Sequence, residues 1–219
     1  MPSEITAISG SIVNCYLVKT GTGFILIDTG VYFQRGALKR ALKSADCQPG
    51  NLKLIIITHG DFDHTGNCAW LCKTYGTKIA MHRSEAGAAE KGDMHANRKT
   101  RRGIIAKMIF SVLSLFFFRG CKADIYLEDG EDLSAYGWGA HILHLPGHSL
   151  GSIGILTNDG DFFCGDTLEN YKQPVKASRV DDEVELNASI ERVKNLTIKK
   201  VYPGHGKPFT METFLNSNP

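Results

Sequence analysis

The apolar run Leu54 to Ile57 ends abruptly in Thr58-His59-Gly60-Asp61-Phe62-Asp63-His64-Thr65-Gly66-Asn67, and no other stretch constrains the chain as much. Four metal-competent side chains, His59, Asp61, Asp63 and His64, fall within six residues. A short apolar run bounded by turn-forming residues reads as a buried strand. Its end is a place where the backbone is fixed and polar side chains project into a cleft. The chain therefore has to fold so that this strand end opens onto room for metal ions, and a dinuclear site is the expectation.

Such a site needs about six or seven ligands, more than the first motif supplies. Three further strand ends offer one each. Leu145-Pro146-Gly147-His148-Ser149 sets a histidine in a Pro-Gly turn just beyond a strand. Phe163-Cys164-Gly165-Asp166-Thr167 does the same for an aspartate, and Val201-Tyr202-Pro203-Gly204-His205-Gly206 for another histidine.

The pattern around these motifs alternates strands and helices. Strands are expected at Val13 to Val18, Gly23 to Ile27, Leu54 to Ile57, Lys78 to Met81, Asp124 to Leu127, Ala140 to Leu145, Ser152 to Leu156, Asp161 to Cys164 and Lys200 to Tyr202. Helices are expected at Phe33 to Ser44, Gly66 to Tyr75 and Glu183 to Leu196. Turns are expected at Asp129-Gly130 and Asn158-Asp159-Gly160. Strands outnumber helices, and helices recur in both halves, which suggests sheets packed with helices outside. A length of 219 residues with 42% hydrophobic content suits one domain over 1–219, with an apolar helical insertion at about 83–120.

Charge and cysteine content exclude several classes. With 25 basic and 23 acidic residues the formal net charge is +2, too balanced for the field that nucleic-acid binding favours. Six scattered cysteines are too few for a disulfide scaffold and fit a reduced, cytoplasmic setting. Cys68 and Cys72 lie four apart on an expected helix and read as core residues rather than metal ligands. The start, Met1-Pro2-Ser3-Glu4, has no secretory character.

His-x-Asp-x-Asp-His, then Pro-Gly-His, Gly-Asp and Pro-Gly-His-Gly, in that order and across almost the whole chain, resembles the metallo-β-lactamase-fold superfamily. Asp28-Thr29-Gly30 matches that family's early strand-end turn, where an aspartate supports the site from behind the ligands. The resemblance implies an α+β, four-layer αββα sandwich with the metals at one edge between the sheets. It implies a first metal held by His59, Asp61 and His148 and a second held by Asp63, His64 and His205, with Asp166 bridging. Asp61 departs from the family's usual His-x-His-x-Asp-His. A carboxylate is anionic and harder than imidazole, so zinc stays the leading ion while iron or manganese becomes credible.

The resemblance also implies the chemistry. A water shared by two metal ions has its pKa brought down from near 16 toward roughly 7, giving metal-bound hydroxide at neutral pH, with Asp63 orienting it. The implied enzyme is a hydrolase of a small ester, thioester or lactone. Only Gly206 to Pro219 follow His205, which argues against the C-terminal helical domain of glyoxalase II-like thioesterases. The alternative is a di-iron redox protein, because the flavodiiron branch also carries a carboxylate where Asp61 stands. A non-catalytic binding protein is a third class, disfavoured by a complete ligand set.

Ile104 to Phe118 is apolar apart from Lys107, Ser111 and Ser114, and Arg98, Lys99, Arg101 and Arg102 precede it. At about fifteen residues it is short of the roughly 20 that span a bilayer. It fits a buried helix, a homodimer interface or a lid over the cleft that would favour acyl-chain substrates, with contact at a membrane surface the least favoured use. His82, His95, His141 and His144 fall outside the ligand set and read as structural, with His82 near enough to a strand end to reach the cleft. Lys207 and Tyr171 lie beside expected ligands and are candidates to touch substrate.

Overall fold

Apolar residues alternate along the strands, and that alternation builds the layers. The computed structural model describes residues 4–10, 12–91 and 120–217. One sheet runs, in spatial order, through β1 (Glu4–Ser9), β2 (Asn14–Thr20), β3 (Gly23–Ile27), β4 (Leu52–Ile56), β5 (Lys78–Met81) and β6 (Ile125–Tyr126). Among the later strands, β7 (Ala140–His144), β8 (Ile153–Thr157) and β9 (Asp161–Gly165) join a second sheet, and β10 (Leu168–Glu169) pairs with β11 (Val175–Lys176). The second sheet is completed by β12 (Lys200–Pro203) and β13 (Phe209–Thr210), in the order β13-β12-β9-β8-β7.

In β3, Ile25 and Ile27 point into a cluster shared with Tyr16, Leu54, Ile142, Ile155 and Phe163, which fills the space between the sheets. Phe24 and Leu26 point the other way, into a cluster with Leu38, Leu42 and Leu71. Those last residues lie on α1 (Arg35–Ser44) and α3 (Cys68–Tyr75), which cover the outer face of the first sheet. On the far side, Leu143, Phe162 and Val201 pack against Leu186, Ile190 and Val193. These belong to α5 (Glu183–Lys194), helped by Phe214 of α6 (Met211–Ser217). Three apolar interlayers thus separate four layers, in the αββα order expected. Asp182 starts α5 by accepting the Val184 and Glu185 N–H groups, and its acidic first turn and basic last turn complement the helix dipole.

Strand direction decides what meets at the edge. β3, β4 and β5 are mutually parallel. β7 and β9 both run antiparallel to β8, so they share a direction, and β12 runs parallel to β9. The C-terminal ends of β7, β9 and β12 therefore open at one edge. Bonds from Asn14 N–H to Gly204 O (2.8 Å) and from Ile153 N–H to Thr58 O (2.9 Å) join that edge to the corresponding edge of the first sheet.

Some elements escape the sequence pattern. In β1 only Ile8 is buried, so no apolar alternation announces it. The strands β6, β10, β11 and β13 are two residues long, and the four residues of α2 (Phe62–Thr65) are too few to show a helical period. The start of the expected insertion forms a short 3-10 turn, Arg83–Glu85, and α4 (Ala86–Lys91). The apolar stretch 104–118 and His95 lie outside the described residues. Among those described, no helix is long and apolar enough to cross a membrane.

Phe163 is the central plug between the sheets, fully buried and set against Tyr16 (5.3 Å between ring centroids), Tyr202 (4.8 Å) and Trp138 (5.8 Å). Truncation leaves a cavity that rigid strands cannot close. Phe163→Ala should lower stability by about 3–5 kcal/mol, read as a shift in the urea midpoint at unchanged slope.

Candidate metal centre

Each ligand motif begins where a strand stops. After β4, Thr58 and His59 continue the line of the strand, and Asp61 precedes the single turn of α2, which carries Asp63 and His64. His148 follows β7, Asp166 follows β9 and His205 follows β12. The seven side chains converge at this edge and are buried, none more than 9% exposed.

The Nε2 atoms of four histidines face three carboxylates. His59 Nε2 lies 3.8 Å from Asp61 Oδ2, and His148 Nε2 lies 3.5 Å from the same oxygen. His205 Nε2 is 3.5 Å from Asp63 Oδ2. Asp166 sits among all four rings, with Oδ1 3.3 Å from His64 and Oδ2 3.7, 3.8 and 3.0 Å from His59, His148 and His205. Donor atoms close enough to share one cation fall into three groups: His59, Asp61 and His148; Asp63, His64 and His205; and His59, His64 and Asp166. Asp61 thus lies with His59 and His148, and Asp166 spans the two clusters.

The opposite edge of every ring is held. His64 Nδ1 lies 2.8 Å from Asp28 Oδ2, His148 Nδ1 2.7 Å from the Arg179 carbonyl, and His205 Nδ1 2.7 Å from the Ile12 carbonyl. His59 Nδ1 lies 3.1 Å from Thr58 Oγ1, whose own proton goes to Asp28 Oδ2 at 2.9 Å. Each partner accepts, so each Nδ1 carries a proton and Nε2 is the atom turned inward, the one that a metal-binding histidine offers. Sequence reasoning missed Thr58. Its signal was a hydroxyl between the strand end and the first histidine.

Asp28 occupies the left-handed region at φ 57°, uncommon for a residue with a side chain. Three hydrogen bonds hold it there, from Thr58 N–H (2.9 Å), Thr58 O–H and His64 Nδ1–H. The two Pro-Gly-His turns need their glycines for space. A Cβ at Gly204 would overlap the Asp166 carboxylate, and one at Gly147, at φ 135°, would overlap the Leu186 backbone.

The electrostatics suit a cation. Burial pushes His59 well below its ordinary pKa, with His64 adding to the effect. Burial also opposes charge on His64, but Asp166 and Asp28 outweigh it and hold that imidazole well above its usual value. Burial alone would raise Asp166; His64 and His59 instead keep it well below the carboxylate range. Asp63 is raised, chiefly by burial. For His205, burial is outweighed by the hydrogen bond and charge of Asp166, and its pKa rises. His59 Nε2, His64 Nε2 and Asp166 Oδ1 are buried without a hydrogen bond. Such orphaned atoms are costly unless they coordinate something, and a set of imidazoles and carboxylates suits divalent metals.

Other candidates lie elsewhere. The rings of His82 and His144 stack on each other at 4.3 Å, and His141 sits on β7. Tyr171 stacks loosely on His205 at 6.0 Å and is 65% exposed, so it borders the centre, while Lys207 is exposed. All six cysteines are free, and none joins a metal-competent group among the described residues. Burial pushes the Cys47 and Cys72 thiols up to about 11, away from the thiolate form a nucleophile needs.

Comparison with known proteins agrees with this fold. Residues 8–205 match the family model described as the metallo-beta-lactamase superfamily. Acyl-coenzyme A thioesterase MBLAC2 of Bos taurus is 28% identical over 224 residues, covering 93% of this chain and 76% of that protein. Probable metallo-hydrolase MJ0888 of Methanocaldococcus jannaschii is 30% identical over 204 residues, covering 89% of this chain and 87% of its own. Among solved structures, TTHA1623 in a di-iron-bound form matches with a TM-score of 0.72 at 25% identity, over 99% of this chain and 98% of that one. The BLEG-1 B3 metallo-beta-lactamase has a TM-score of 0.77 at 24% identity, again over 99% and 98%, a likeness of fold.

Because Asp28 orients His64 directly and His59 through Thr58, Asp28→Asn should weaken metal binding about 10–100-fold with little change of fold. Competition against a chromogenic chelator measures this. Affinity equal to the parent protein's would remove Asp28 from the support of the centre.

Proposed function

The chain belongs to the metallo-beta-lactamase superfamily and is a metal-dependent hydrolase, and from that premise we propose that it cleaves acyl thioesters at a two-metal centre. One observation carries the reading: four inward-facing Nε2 atoms and three carboxylates meet at one buried edge, with orphaned polar atoms among them. His59, Asp61 and His148 would hold one divalent ion, Asp63, His64 and His205 the other, and Asp166 both. Zinc suits such donors, and the carboxylate at 61 widens the range toward iron or manganese.

Divalent ions held by these residues would supply Lewis acidity, which makes water a competent nucleophile near neutral pH and polarises a substrate carbonyl. The protein's own part is placement. Rings held at Nδ1 keep their donors fixed, which lowers the reorganisation needed at the reaction. In this reading Asp63 uses its remaining oxygen to accept a hydrogen bond from the attacking water and aim it at the carbonyl carbon. Water adds there, the C–S bond breaks, and an acid and a thiol leave. Asp61, in place of a neutral imidazole, adds negative charge to the first cluster and tunes metal choice before mechanism.

The substrate class draws on two supports. Relatives that span most of the chain include acyl-coenzyme A thioesterases of Bos taurus and Homo sapiens. Three of the eight exposed large hydrophobic residues among those described, Ile12, Leu150 and Tyr171, also stand beside ligands. Ile12 gives its carbonyl to His205, Leu150 follows His148 by two residues, and Tyr171 stacks on His205. An apolar border of this kind suits an acyl chain. A reducing, cytoplasmic setting belongs to this proposal, supported by six cysteines that form no disulfide.

A panel of acyl-CoA thioesters, lactones and phosphodiesters, run with metal analysis, tests the reading. Thioester cleavage should dominate and disappear on chelation. Two irons with oxygen reduction and no hydrolysis would instead favour a di-iron redox protein. Tyr171→Ala should raise KM for long acyl chains about tenfold, the equivalent of ~1.4 kcal/mol, and leave short chains unchanged. Asp61→His should shift metal preference toward zinc; unchanged occupancy and preference would show that Asp61 is no ligand.

A further inference from the structure

A buried carboxyl outside the converging set joins the two loops that carry the first cluster. Glu85, 3% exposed, closes the 3-10 turn that follows β5. Its Oε2 accepts the Gly60 N–H at 2.7 Å, and its Oε1 accepts the Gly151 N–H at 2.8 Å. Gly60 stands between His59 and Asp61, and Gly151 comes three residues after His148. The turn that delivers Glu85 is itself fastened, with His82 Nδ1 accepting from Ser84 N–H (3.3 Å) and the His82 carbonyl accepting from Glu85 N–H (3.0 Å). Because β5 is parallel to β4, this turn leaves the sheet at the edge where the ligands gather.

Burying a carboxyl this deeply is costly, and an apolar side chain of similar size would pack without that cost. It would also leave two main-chain N–H groups without acceptors, each in a loop that bears ligands. Glutamate spans both loops with one rigid group, so the distance between them follows from the width of a carboxylate. The room is limited as well. A Cβ added at Gly60 would lie 3.0 Å from Oε2, and one added at Gly151 2.9 Å from Oε1, so the loops approach Glu85 as closely as glycine permits.

We propose that Glu85 is a positioning residue for the metal held by His59, Asp61 and His148, setting the spacing of the loops that carry them while leaving the Asp63, His64 and His205 cluster untouched. This rests on the two-metal reading above. It separates the clusters by their support, since the second hangs on Asp28 and the Ile12 carbonyl, whereas the first also needs a side chain from a turn that contributes no ligand.

The test is zinc titration of the full chain against a competing chelator, with amide hydrogen exchange on the metal-free protein. Glu85→Gln keeps the shape but turns an NH2 toward one of the two N–H groups. The expected result is one zinc bound as in the parent and the other weakened 10–100-fold, with faster exchange confined to Gly60, Gly151 and their neighbours. Two ions bound at parental affinity with unchanged exchange would overturn the proposal, as would equal loss of both, which marks a general structural role. If Glu85→Gln does not fold, Glu85→Asp, one methylene too short to reach both loops, is read by the same outcomes. A parent protein that binds fewer than two zinc ions refutes the two-metal reading and with it this one, a result visible before any variant is made.

Discussion

The carboxylate of Asp28 is the tie on which the metal edge depends. It sits at the end of β3, in a left-handed backbone conformation uncommon outside glycine, and takes three hydrogen bonds from a loop 30 and more residues later. Through them it fixes both ends of the segment Thr58 to His64, since Thr58 passes the restraint to His59 and His64 receives it directly. The local strain, of order 1–3 kcal/mol for such a conformation, is offset by hydrogen bonds to a charged acceptor in a buried place. Loosening that tie would free two imidazoles at once.

The edge itself comes from strand direction. Parallel neighbours in each sheet bring successive C-terminal strand ends to one side, which is where open sheets commonly present their ligands. Four layers then provide rigidity behind it. The interlayer around Phe163 holds the sheets face to face, and the Gly204 and Thr58 carbonyls accept from the opposite sheet, so the two halves of the ligand set keep a fixed separation. Flexible loops alone would not keep like-charged Asp61, Asp63 and Asp166 so close in a buried site.

Much of this was legible along the chain, for a definite reason. Residues whose chemistry is rare in a strand-end turn stand out: His59, Asp61, Asp63, His64, His148, Asp166 and His205 all follow apolar runs, and all seven arrive at one edge. Short apolar runs bounded by turn-forming residues revealed the longer strands. That signal was silent on β1, which buries little, and on strands of two residues, which are too short to make a run. Glu85 gave only a faint sign, an acidic residue after a strand end and before Ala86-Gly87-Ala88-Ala89, because its partners are peptide N–H groups.

The sequence by itself determined which donors exist, their order and their position at strand ends, since apolar runs form strands and turn-formers stop them wherever they occur. It also determined the anomaly at Asp61. The division of donors between the clusters came only through the family resemblance; the tertiary structure supplied its distances, with Asp61 facing His59 and His148 and Asp166 lying among all four imidazoles. It alone supplied the acceptors behind His148 and His205, the carbonyls of Arg179 and Ile12. The physical reason is that every residue carries a carbonyl and an N–H, so main-chain partners leave no mark in the order of side chains and appear only when folding brings distant backbone into place.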